Sequence, residues 1–182
     1  MRTRAREEAG FGLIELLMAM TILNIAILAL VAAFNAGIIS LRRAGQMSTA
    51  SVLADQQMEL YRALTYGSIA LDSTALGTVD NTYLCDPALG SSCPNSAASE
   101  KTTTCTGLPN ECNPSRVTVG PDRHKYRVDT YIVDEQPTAS SRTLRRVTVV
   151  VRDGLNLSRV LARETSTFDC STAQPYSNCP TS

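Results

Sequence analysis

The residue types able to do chemistry are few in this chain of 182 residues, and they cluster. All six cysteines lie in the second half or close to it: Cys85, Cys93, Cys105, Cys112, Cys170 and Cys179. No C-x-x-C pair occurs, which disfavours a thioredoxin-like redox centre and a zinc ribbon alike, because zinc ligands prefer close pairs. An even count at wide spacing reads as a disulfide framework. Pairing between neighbours (Cys85–Cys93, Cys105–Cys112, Cys170–Cys179) closes the smallest loops and costs the least chain entropy. A bridge from the loops holding Cys85 to Cys112 to the C-terminal tail is the rival arrangement. The chain has one His and no Trp, which excludes His-pair catalysis and multi-His metal sites. That His124 sits between Arg123 and Lys125, a charged turn that reads as solvated surface rather than as a general base. No G-x-S-x-G and no glycine-rich phosphate loop is present. Asp80, Asp86, Asp122 and Asp134-Glu135 are oxygen-rich, but EF-hand spacing is lacking. The expectation is therefore no enzyme, no cofactor and no metal.

Basic residues give a second candidate. The 17 Lys and Arg cancel the 17 Asp and Glu, so nothing global draws the chain to nucleic acid. Locally, Arg142, Arg145, Arg146, Arg152, Arg159 and Arg163 crowd together. If Arg146 and Arg152 share a sheet face with Arg159 and Arg163, that face is basic. The preferred reading is a solvated face that resists aggregation. The competing one is electrostatic capture of DNA, although no aromatic residue for base stacking lies in this stretch.

A third candidate is an acid in an apolar run. Residues 16–41 carry no charged side chain and would make roughly 39 Å of helix at about 1.5 Å per residue, enough to span a bilayer. Arg2, Arg4 and Arg6 precede the run and Arg42 and Arg43 follow it, so charge gives little guide to orientation. The run is too long for a secretory signal, and Ala32-Ala33-Phe34 is a poor cleavage site. A plain single-pass anchor is the simplest account. Glu15 resists it. Its neighbours on the same helix face, Phe11, Gly12, Met18 and Ala19, offer no partner. An intramembrane acid costs about 2.5–3.5 kcal/mol at a helix centre and is by default functional.

The residues around that acid carry a resemblance. Gly10-Phe11-Gly12-Leu13-Ile14-Glu15-Leu16-Leu17 resembles the processing site of type IV prepilins and type II secretion pseudopilins. The resemblance implies that prepilin peptidase cuts after Gly10 and N-methylates Phe11, with Glu15 as the family's hallmark acid. It implies a pilin fold and partners among other pilins or pseudopilins, the peptidase and an inner-membrane assembly platform. It also implies a single-pass inner-membrane precursor with its C-terminal domain exported, later part of a pilus or pseudopilus. The chemistry agrees. A Gly before the scissile bond lets backbone approach closely. Cleavage leaves an amine at Phe11 in the apolar layer, where Glu15 of a neighbour can pair with it. Each charge is costly alone and tolerable paired. No Pro occurs between residues 18 and 64, whereas many major pilins carry one. That tilts the resemblance toward minor pilins and minor pseudopilins near a filament tip, for which binding of DNA or surfaces is the alternative role.

These residues need elements to position them. Residues 1–10 read as a cytoplasmic leader and 11–66 as one helix, with 11–41 as membrane or filament core and 42–66 amphipathic. Met47, Ala50, Leu53, Ala54, Leu60, Tyr61 and Leu64 form the stripe of that second half, interrupted by Gln57. Gly67-Ser68 is the expected stop; a break near Gly45 is the alternative. Residues 67–115, rich in Cys, Ser and Thr, read as loop, with 78–84 a candidate strand. Residues 116–182 hold the sheet and the tail. Strands are expected at 116–119, 126–133, 144–152 and 158–168. The last could be a short helix, but Asp153-Gly154 favours a hairpin. The fold class is α+β: a long N-terminal helix packed on a small antiparallel sheet.

Overall fold

In the computed structural model, which describes residues 12–136 and 143–170, helix α1 runs without a break from Leu13–Arg62. Its first part is Ala-, Leu- and Ile-rich and free of Pro, so nothing removes a backbone donor. Two of its polar side chains close on their own helix: Thr21 Oγ1 donates to Met18 O at 2.8 Å and Asn24 Nδ2 to Met20 O at 3.0 Å. The helix is long and apolar enough to cross a membrane. The chain divides into two compact units, Met1–Ala44 and Gly45–Ser182.

The second unit holds the core. On α1 the buried residues are Ala50, Ala54, Gln57, Met58 and Tyr61, spaced to share one helix face. Met47 is 47% exposed and Leu60 37%, so neither belongs to that face. Gln57, expected to interrupt the stripe, lies within it. The helix ends before the expected stop because its last turn tightens. Leu64 N donates to Tyr61 O, and Thr65 is extended ahead of a 3-10 turn at Tyr66–Ser68.

Four antiparallel strands follow in sequential order: β3 Ser115–Val119, β4 Lys125–Glu135, β5 Leu144–Asp153 and β6 Val160–Phe168. The register pairs Val128 with Val151, Thr130 with Val149 and Ile132 with Val147. These residues share the face that α1 covers: Arg116 reaches Gln57, and Arg62 reaches Glu164. The turn between β5 and β6 depends on Gly154, where a Cβ would meet the Lys125 carbonyl oxygen at 2.6 Å. The register then slips between Val151 and Arg152.

Residues 67–114 are not a loose loop. They form a strap whose middle lies on the sheet face opposite α1, where Tyr83 stacks on Tyr131 with ring centroids 4.3 Å apart, while Asn110 and Glu111 return to α1 through Gln57 and Tyr61. The strap contains β1 Leu71–Asp72, parallel to β2 Thr102–Thr103, and two short helices, α2 Ser73–Leu76 and α3 Asn81–Leu84. The candidate strand at 78–84 is thus partly helix, because Asp80 caps α3 by accepting from Tyr83 N at 3.0 Å. Asp72 caps α2 likewise, accepting from Ala75 N at 2.8 Å. Burial on both faces explains why β4 and β5 are buried almost continuously rather than at alternate residues.

Candidate processing and assembly site

Helix α1 begins where Gly12 O accepts from Glu15 N at 3.0 Å and from Leu16 N at 3.2 Å. Glu15 therefore stands in the first turn, where the helix dipole favours an acid. Gly10 and Phe11 lie outside the described residues. Among those described, no cation pairs with Glu15. Around it Leu13, Ile14, Leu16, Leu17 and Met18 are all more than half exposed. Every described residue up to Gly45 is exposed. So long an apolar surface marks a site for lipid or for other helices.

The four arginines of the basic candidate do not form one solvent-facing surface. Arg146, Arg152 and Arg163 share the strap-covered face, while Arg159 faces α1 and donates to Gln46 Oε1 at 3.5 Å. Arg152 is buried. It donates to Asp129 Oδ2 at 3.0 Å and pairs with Asp86. Arg163 reaches the same Asp86 at 2.8 Å, and Arg146 pairs with Glu135 at 3.1 Å. The strap brings Asp86 to two of these guanidiniums, which a solvated face would have left to water.

The acids of the oxygen-rich segments are used the same way. Asp80 takes Arg127 Nη2 at 2.8 Å, and that guanidinium holds its carboxyl down at about 2. Asp134 pairs with Arg145, and Tyr126 donates to Asp122. Among the described residues no group of three or more potential ligands could hold a metal. His124 is not bare surface: its Nε2 lies 3.0 Å from Asp153 Oδ1, and its ring meets Tyr126 edge-on. No local signal in the sequence links His124 to Asp153, because the β4–β5 register makes that contact.

Cys85 bonds to Cys93 and Cys105 to Cys112. Cys170 is also disulfide-bonded, and Cys179 lies outside the described residues. Both mapped bridges close short loops within the strap. Sequence reasoning missed the buried polar group inside it. Glu100 is 6% exposed, and burial raises its carboxyl to about 7.

With this geometry in view, the model of the prokaryotic N-terminal methylation motif matches residues 5–32. That span includes Gly10, Phe11 and Glu15. The motif, the long apolar helix and the antiparallel sheet support a type IV prepilin-like family with an α+β, pilin-like fold. This motif family is structural rather than enzymatic, and it implies assembly with other pilins after the action of prepilin peptidase. It fits a membrane-anchored pilin that is later assembled into a pilus. Comparison with curated proteins and with solved structures finds no match.

Proposed function

We propose that this chain is a minor structural subunit of a type IV pilus or a type II secretion pseudopilus. On this reading residues 1–10 are the leader, prepilin peptidase cuts after Gly10, and Phe11 becomes a methylated N-terminus. Residues 11–41 hold the subunit in the inner membrane with its C-terminal domain exported, then pack in the filament core. Glu15 pairs with the Phe11 amine of a neighbour during assembly, so that neither charge is left alone in an apolar layer. The observation that carries the reading is one register: the methylation motif over residues 5–32 opens a 50-residue helix with Glu15 in its first turn. The minor role rests on the absence of Pro from residues 18 to 64.

Mass spectrometry of the mature protein tests the processing step. The expected N-terminus is Phe11, methylated. Intact Met1 or Arg2 in cells with active prepilin peptidase would make the chain an anchored domain instead. DNA capture at a pilus tip draws no support from the arginines, which are paired with acids.

A further inference from the structure

We propose that Glu100 is carried in the folded domain as a neutral carboxylic acid, and that its proton fastens the strap to the sheet. The inference is independent of the pilin reading. Tyr83 Oη lies 2.8 Å from Glu100 Oε1 and 2.6 Å from Thr130 O. A phenol has one hydrogen, and a carbonyl oxygen has none to give. With Glu100 ionised, one of these two short contacts would join two oxygens with no hydrogen between them. With Glu100 protonated, its hydroxyl donates to Tyr83, and Tyr83 donates to Thr130 O. Both contacts are then hydrogen bonds.

Two further observations agree. Glu100 Oε2 is buried and has no hydrogen-bond partner. An orphan oxygen is far less costly on a neutral acid than on a carboxylate. Among the described residues no cation pairs with Glu100. The side chain it touches is Tyr83 of α3; Tyr131 and Asp129 of β4 act on that phenol in turn, and Asp129 is taken by Arg127 and Arg152. On its own segment, Lys101 lies 3.9 Å from Asp134. None of these supplies a positive charge to hold a carboxylate.

The position makes the proton a fastener. Glu100 bridges to Val133, and Ile132 N donates to Glu100 Oε1 at 3.4 Å. Lys101 N donates to Ile132 O at 2.8 Å, and Leu71 N to Lys101 O at 2.9 Å. The strap thus meets β4 around one acid. When the strap opens, that acid returns to water and to its ordinary value of 4.5, against about 7 when closed under burial. A group raised in this way stabilises the closed form fully below the ordinary value, and the stabilisation is lost as pH rises through the closed value. Opening therefore increases about tenfold per pH unit between those values and levels off above them.

The test is hydrogen–deuterium exchange on the full chain in detergent micelles from pH 5 to pH 8, corrected for intrinsic exchange. The protection of Leu71 and Lys101 amides should fall about tenfold per pH unit until about pH 7 and then level. In Glu100→Gln, where an amide donates to Tyr83 in the acid's place, protection should be flat. Difference infrared spectra should show a neutral carboxyl band at pH 6 that Glu100→Gln lacks. Flat protection in the parent, an unchanged slope in Glu100→Gln, or no such band would overturn the proposal. If the variant does not fold, the parent's slope and its band at pH 6, lost as pH passes about 7, still decide.

Discussion

Asp129 shows what a buried charge demands. Its side chain is fully buried, and it accepts from Arg127 Nε at 2.7 Å, Arg152 Nε at 3.0 Å and Ser115 Oγ at 2.7 Å. Removing it leaves Arg127, Arg152 and Arg163 with only Asp80 and Asp86, one buried positive charge in excess. Asp129→Ala should therefore lower stability by about 3–5 kcal/mol in urea titration, whereas Arg163→Gln, at a 35% exposed side chain, should cost under about 1 kcal/mol. Asp80 carries a pH signature. Its carboxyl is held at about 2 by the Arg127 guanidinium, against an ordinary 3.8. A lowered acid stabilises the fold above the ordinary value, and that contribution is lost as pH falls through the lowered one. An NMR titration of the Asp80 carboxyl should find it still ionised at pH 3; a midpoint at the ordinary value would break the pairing. The arginines were legible in the sequence, but their partners were not. Arg152 meets an acid 66 residues away, and Arg127 one 47 away. Strand alternation assigns a side chain to a face and says nothing of what covers that face.

At the scale of elements, the helix and the four strands were legible because each repeats a period over many residues. The strap was not, because its order comes from caps, two bridges and contacts with β4 rather than from any period. The Asp caps of α2 and α3 were the one local signal, an acid ahead of a short polar run. Gln57 was misjudged for a related reason: a stripe counted in apolar residues has no place for an amide. In the structure Gln57 is 1% exposed. It donates to Asn110 O at 3.0 Å and accepts from Arg116 Nη2 at 3.2 Å. Gln57→Ala leaves both partners short and should lower stability by about 1–3 kcal/mol, while Met47→Ala should fall within about 0.5 kcal/mol. Calorimetry of the two variants separates them. Replacing Cys105 and Cys112 together by Ala frees a short loop of the strap and should cost about 2–3 kcal/mol. Equal stability with and without that bridge would mean that packing alone holds the strap.

At the scale of the molecule, the two units have different needs. The unit Gly45–Ser182 buries its own core and pairs its buried arginines with acids. The described part of Met1–Ala44 buries nothing and exposes an apolar helix headed by one acid. Such a helix is complete only in lipid or among other helices, and the acid only beside a cation. The central claim is that Glu15 supplies the cation's partner during filament assembly. Incorporation of Glu15→Ala into filaments, read by crosslinking to neighbouring subunits at equal membrane abundance, tests it most directly. The substitution leaves the apolar helix and the Gly10-Phe11 bond intact, so insertion and cleavage should persist. Stranding the neighbour's amine should cost about 3–5 kcal/mol, enough to all but abolish incorporation. Glu15→Asp should fall between the two. Incorporation of Glu15→Ala at the level of the parent would contradict the account.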